Sequence, residues 1–274
     1  MKYIWILSFC ISILAGCAAA PEPEVTETTL PAAKAAAVIP LPVEEETVLV
    51  LSLEGVKPYA AYESMTPDTV PANTMGDLLC DTTLPGGANV LCYWEPDSRH
   101  TKYWAIRRGD ELLRFCMEDA CYDTDYSAAP FTDVLGCSGF VINAPRGAAY
   151  TARDYYIYDE TGVPRLLAGC SGEPLEADVN EDGERELLWF YHGGREVYYF
   201  YHREGALHEA DIISLLHEQY PEWLLLSCTP KEYTGGKLPV TFVKGGWDAV
   251  NDDAAHHAGW LEFSADTVEV HIGA

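Results

Sequence analysis

Bases are scarce in this chain. Seventeen Lys and Arg stand against 43 Asp and Glu, for a formal net charge of −26. A surface of that sign repels phosphate backbones and anionic headgroups, which argues against nucleic acid and against electrostatic docking on a bilayer, and it attracts divalent cations. Two chemical signatures are missing as well. There is no Cys-x2-Cys pair, and Cys116-x4-Cys121 has neither a second pair nor a histidine at zinc spacing. Ser138 and Ser171 each sit directly between Cys and Gly, so neither fits the Gly-x-Ser-x-Gly elbow that exposes a nucleophile. They read as polar turn residues.

What is present is a chain able to fold. Apolar residues make up 48% and aromatics 12%, well above a disordered composition, so most of the length should bury a core. Residues 1–16 are an exception: one charge at Lys2, an apolar stretch from Tyr3 to Leu14, then Ala15 and Gly16 before Cys17. The stretch is too short for a membrane span and suits a cleaved export signal. Leu14-Ala15-Gly16-Cys17 resembles the lipobox of bacterial lipoproteins. That resemblance implies a diacylglyceryl group on the Cys17 thiol, cleavage before Cys17, and an extracytoplasmic protein anchored to the cell membrane by lipid. Residues 17–46 follow as the lipidated cysteine and a tether rich in Ala, Pro, Glu and Thr with no hydrophobic period.

Seven further cysteines lie at 80, 92, 116, 121, 137, 170 and 228, an odd number that leaves at least one thiol free after export. They suit small core residues with room for one or two disulfides, whose connectivity the spacing leaves open.

The folded part is expected over 47–274, opening with a strand at Val48 to Leu51. Beyond it a strand–turn–strand unit recurs. Tyr103 to Ile106 and Leu112 to Phe115 flank Arg108-Gly109-Asp110; Tyr155 to Tyr158 and Val163 to Ala168 flank Thr161-Gly162. Val197 to Tyr201 and Ala206 to Ala210 flank Glu204-Gly205, and Leu261 to Phe263 and Thr267 to His271 flank Ala265-Asp266. Aromatic and β-branched runs bounded by Gly and Asp are hairpin signals, and starts roughly 40 to 50 residues apart match the repeat length of propeller blades. Gly-Cys-Ser-Gly at 136–139 and again at 169–172 points the same way. One short helix is expected near 211–220, capped by Asp211 and ended by Pro221, with Ile212, Leu215 and Leu216 on one face. The fold class is mainly β: antiparallel hairpins in a small or partial propeller-like array, with a β-sandwich as the alternative.

Asp178-Val179-Asn180-Glu181-Asp182-Gly183-Glu184-Arg185-Glu186 is the sharpest chemical signal. Oxygen side chains at positions 1, 3 and 5 can point into one turn, Gly183 permits the backbone to curl, and position 9 returns a carboxylate. An all-oxygen set selects calcium over zinc or copper. An EF-hand would need a bidentate Glu at position 12, where Trp189 stands, and a following helix where Leu187 to Tyr191 reads as a strand. The loop therefore joins strands. It looks like the calcium hairpin of the FG-GAP and VCBS repeats of integrin-type propellers and bacterial surface proteins. That resemblance implies side-chain ligation by Asp178, Asn180, Asp182 and Glu186, with Glu184 using its backbone carbonyl. It covers about 40 residues and a single copy. The ion is expected to be structural.

Weaker groupings are also visible. Arg108-Gly109-Asp110 has the form of an adhesion tripeptide but sits where a hairpin turn needs Gly and Asp. Asp252-Asp253-Ala254-Ala255-His256-His257, between Trp247 and Trp260, reads as a solvated loop, with a metal or sugar site as the sharper alternative. Trp189, Tyr191, Tyr199 and Tyr201 offer sugar-stacking faces, of which strand alternation sends half to the core. The expectation for function is a surface module that binds a protein or glycan rather than a catalyst. A surface hydrolase using Asp252 or His256, and the sensory ectodomain of an envelope signalling system, are the alternatives.

Overall fold

The computed structural model describes residues 46–60, 66–98, 100–117, 125–145, 151–172, 174–191 and 194–273. Cys17, the expected export signal and nearly all of the expected tether lie outside them, as does Cys121. The strands are Thr47–Ser52 (β1), Asp68–Pro71 (β2), Leu78–Thr83 (β3), Asn89–Trp94 (β4), Lys102–Arg108 (β5) and Glu111–Met117 (β6). Ser127–Val134 (β7), Cys137–Pro145 (β8), Thr151–Tyr158 (β9), Pro164–Ser171 (β10), Leu175–Ala177 (β11) and Glu186–Tyr191 (β12) follow. Glu196–Arg203 (β13), Ala206–Asp211 (β14), the helix Ile212–Gln219 (α1), Trp223–Cys228 (β15), Lys237–Lys244 (β16), His256–Phe263 (β17) and Thr267–Ile272 (β18) complete the order.

These strands build four antiparallel sheets in chain order, and among the described residues there is no closed barrel. The first runs β2-β6-β5-β4-β3, the second β10-β9-β8-β7, the third β11-β12-β13-β14, and the fourth β1-β18-β17-β16-β15. Each hairpin read from the sequence falls in a different sheet: β5–β6, β9–β10, β13–β14 and β17–β18. The fold is mainly β, as the hairpin pattern implies, and its arrangement fits a partial propeller or a sandwich. The two Gly-Cys-Ser-Gly peptides do not occupy equivalent places. One opens β8 and the other closes β10 within the same sheet, so they mark no structural repeat.

Alternation explains why the inner sheets can stack. Successive side chains of a strand point to opposite faces, and in β12 Leu188 and Phe190 join the core shared with the fourth sheet while Leu187 joins the core shared with the second. In β8, Phe140 and Ile142 face the first sheet and Val141 faces the third. Three apolar cores therefore connect the four sheets in sequence. The first–second core centres on buried Trp104, its ring stacked on Phe115 at 4.1 Å and tilted against Tyr156 at 4.5 Å. Each such fully buried large side chain is worth on the order of 2–3 kcal/mol.

The segment before β3 ties the sheets together from outside. It pairs with the fourth sheet through β1, meets β14 of the third sheet at the Pro58–His208 bridge and the Tyr59 N–H to Leu207 carbonyl bond of 2.7 Å, and joins the first sheet through β2. Arg203 holds it by donating to the Leu53 carbonyl at 2.7 Å. β1 is an edge strand, and α1 closes it. Asp211 caps the helix by accepting the Ser214 N–H at 3.0 Å. Gln219, at its other end, both accepts the Ser52 N–H at 3.0 Å and donates to the Ser52 carbonyl at 3.1 Å. Tyr220 repeats the device on Val50. Two side chains thus take the place of a further strand, and exposed backbone edges invite pairing when left open.

Candidate metal centre

The segment Asp178–Glu186 connects β11 to β12, whose last ladder pair is Ala177 with Glu186. No helix follows it; the loop joins strands, as its sequence implies. Its curl is held by its own acids. Asp178 accepts the Asp182 N–H at 3.1 Å through Oδ1 and the Gly183 N–H at 3.0 Å through Oδ2. Asn180 Oδ1 accepts the same Asp182 N–H at 3.0 Å, and Asp182 Oδ1 accepts the Glu184 N–H at 2.8 Å. The backbone turns through left-handed positions at Glu181 (φ 60°) and Gly183 (φ 93°). Nothing lies within 4 Å of where a Gly183 Cβ would stand, so glycine is needed there for its dihedral freedom and not for space.

Glu186 returns under the loop. It is buried, and its Oε2 accepts the Val179 N–H at 2.9 Å. Burial pushes its carboxyl up to about 7; the Val179 bond opposes this, and the charges of Asp182 and Asp178 add to it. The same anionic field reaches two tyrosines. Tyr199 is raised by burial and then by Glu186, and Tyr233 by burial and then by Asp178, Glu186 and Glu181. The Tyr199 hydroxyl is buried beside Asn180 and makes no hydrogen bond of acceptable geometry. Among the described residues no base forms an ion pair with Asp178, Asp182 or Glu186. Arg185, the nearest in sequence, turns away to donate to the Asp133 carbonyl at 3.0 Å and to the Thr132 carbonyl, with Glu176 at 3.7 Å. A buried carboxylate in the field of Asp178 and Asp182 is a charge that a divalent ion could offset, although the ligand atoms of the three acids do not all lie within 4.8 Å of one another. The oxygen-only donor set fits calcium.

The loop stands where three sheets meet. The Leu135 N–H of the β7–β8 turn donates to the Arg185 carbonyl at 2.7 Å, which fastens the loop to the second sheet. Tyr233, between β15 and β16 of the fourth sheet, donates to the Asp178 carbonyl at 3.4 Å. Below it, the Tyr155 hydroxyl donates to Glu176 at 2.7 Å, joining β9 to β11. The Glu184 side chain lies 3.6 Å from His202, and its N–H donates to Asp182 Oδ1 at 2.8 Å. Arg185, Tyr199 and Tyr233 carry no sequence signal for this place, because their role comes from strands far apart in the chain.

The other candidate groups are occupied differently. Asp252 accepts the Ala254 N–H at 3.1 Å and so caps a short 3₁₀ turn; His256 meets the Val250 carbonyl at 2.9 Å. His257 lies edge-on to Trp223 at 5.4 Å. Asp252 to Ala255 precede β17, His256 and His257 open it, and Asp252, His256 and His257 engage separate partners. Tyr199 and Tyr201 are core residues, while Trp189 is half-buried and stacked on its cross-strand partner Tyr198 at 4.0 Å. Arg108-Gly109-Asp110 forms the tight β5–β6 turn, and Arg108 donates to the Gly162 carbonyl at 2.6 Å.

Glu262, Glu269 and His271 are a trio that the sequence did not suggest, with ligand atoms all within 4.8 Å of one another. Lys237 already approaches Glu262 at 3.1 Å, and His271 stacks on Trp260 at 4.8 Å. That is an exposed ion-pair network with its own cation. No family model, curated protein or solved structure matches the chain.

Proposed function

We propose that this chain is a lipid-anchored, extracytoplasmic β module whose 178–186 loop takes up calcium, and that it works by binding a surface protein or glycan and not by catalysis. The observation that carries the reading is Glu186, buried under the loop, its carboxyl raised by burial with the charges of Asp182 and Asp178 adding to it, while among the described residues no base forms an ion pair with the three. Asp178, Asn180, Asp182 and Glu186 would hold the ion through side chains and Glu184 through its carbonyl, in keeping with the FG-GAP and VCBS resemblance. Bound there, the ion neutralises acids that otherwise repel and stiffens the place where the second, third and fourth sheets touch. The separate engagements of Asp252, His256 and His257 favour binding over hydrolysis. The lipobox-like Leu14 to Cys17 and the acidic composition support display outside the cytoplasm.

Two measurements test the halves separately. Calcium titration calorimetry on the purified chain should give saturable one-site binding that the Asp178→Ala/Asp182→Ala variant lacks; no heat in either protein would refute the ion. Fractionation of cells expressing Cys17→Ser should move the protein from membranes to the soluble fraction. Unchanged partitioning would refute the anchor.

A further inference from the structure

Cys80 and Cys92 stand directly opposite each other on β3 and β4. Opposed residues of an antiparallel pair have Cα atoms about 4.5 to 5.5 Å apart, inside the window of about 4.4 to 6.8 Å that a disulfide spans. Both side chains turn toward the first–second core. Cys92 is fully buried in it, and Cys80 is half-buried at its margin, where β3 is the edge strand. We propose that Cys80 and Cys92 form a thiol–disulfide exchange site, closed to a cross-strand disulfide by a small organic disulfide and reopened by a dithiol.

The surroundings divide the labour between the two sulfurs. The Cys92 thiol donates to Cys80 and brings Cys80 down to about 6 against the opposing effect of burial, with the Thr82 hydroxyl and a main-chain contact at Ala128 helping. Thr82 Oγ1 lies 3.4 Å from the Cys80 sulfur. Cys92 is pushed the other way by the same hydrogen bond and by burial. Cys80 is therefore the half-exposed thiolate that attacks, and Cys92 the enclosed thiol that resolves. In the first step the Cys80 thiolate bonds to one sulfur of R–S–S–R and expels R–S⁻, which takes a proton. In the second, Cys92 gives up its proton and attacks the Cys80 sulfur, expelling the other R–S⁻. Two protein thiols and one disulfide become one protein disulfide and two R–SH; two electrons pass to the small molecule.

The remaining described cysteines lack this geometry. Cys116 opposes Tyr103, Cys170 opposes Arg153, Cys228 opposes Val240 and Cys137 opposes Val134. The consequence is local. A bridge at 80–92 staples the free edge of the first sheet to its neighbour beside the contact with β7.

The test exposes the reduced full-length chain to cystine and maps the product by mass. A loss of about 2 Da, a cross-linked peptide joining residues 80 and 92, and full reversal by dithiothreitol are expected. Closing a loop of about a dozen residues should also raise Tm by roughly 5 to 10 °C. In Cys92→Ser, Cys80 should accumulate a stable cysteinyl adduct, because nothing resolves it; Cys80→Ser should give none at residue 92. A bridge mapped to any other pair, or a wild-type chain that keeps a mixed disulfide on Cys80, would overturn the proposal. The wild-type map needs no variant to fold.

Discussion

Two acidic hairpin loops in neighbouring sheets solve the same problem in opposite ways. The β9–β10 turn has a single anchoring acid. Asp159 Oδ1 accepts the Thr161 N–H at 2.9 Å, the Thr161 hydroxyl at 2.6 Å and the Val163 N–H at 2.9 Å. Its Oδ2 accepts Arg165 Nε at 2.9 Å. The hydroxyl of Thr161 and the Val163 amide, with Arg165 and the Thr161 amide, hold the Asp159 carboxyl well below the usual range. That turn supplies its own donors and its own cation. The 178–186 loop uses backbone amides in the same fashion but adds a buried acid, and its one arginine is spent on the next sheet. An acid that donors surround is a structural anchor. Acids that share a loop with a buried carboxylate raise it by their charge.

The largest expected consequence is in calcium dependence. Calorimetric melts in calcium and in chelator should separate, by about 2.7 kcal/mol where free calcium is about a hundred times the dissociation constant. For a domain of this size that is roughly 5 to 10 °C. Asp178→Ala/Asp182→Ala should erase the separation, whereas Asp159→Ala should lower both melts and keep them apart. Superimposed wild-type melts would dissolve the contrast between the loops.

Next in size are the two turn glycines. Gly183 and Gly162 both have positive φ, 93° and 76°, and neither is tightly crowded. Alanine at either should cost about 1 kcal/mol in a denaturant melt through the dihedral alone. Only Gly183→Ala should also weaken calcium binding, because only that turn belongs to the proposed site. Equal calcium affinities in the two variants would separate the curl from the site.

The smallest effect is in acid. Asp159 is depressed on folding, so its contribution is complete above the unfolded carboxyl value near 4 and disappears as pH falls toward its folded value. Wild type should therefore lose more stability than Asp159→Asn between about pH 4 and the folded value, read from the pH dependence of Tm. Parallel curves would show that the turn does not depend on that charge.

Local chemistry was legible in advance where it is written in consecutive residues. The four hairpins, the strand at Leu187 to Tyr191 and the Asp211-capped helix follow from alternation, turn residues and capping, which act over a few positions. Strands β2, β3, β4, β7, β8, β11, β15 and β16 were not read from the sequence. β7 carries Pro130 and a register shift near Thr132, and β3 and β15 each contain a bulge that breaks the alternation a reader counts. The doubled Gly-Cys-Ser-Gly suggested a repeat that the strand order does not bear out, since a tetrapeptide says nothing about which end of a strand it occupies.

By itself the sequence determined the β character, the hairpin turns, the strand-flanked position of the acidic loop and the oxygen-only choice of donors. These depend on backbone dihedrals and side-chain chemistry within about ten residues. Only the tertiary structure decided that Glu186 is buried, that Arg185 serves the Thr132 and Asp133 carbonyls and not the acids beside it, and that Tyr199 and Tyr233 stand over the loop. It alone set Cys80 across from Cys92. Burial, charge pairing and strand register depend on which distant segments pack together, and no local pattern encodes that choice.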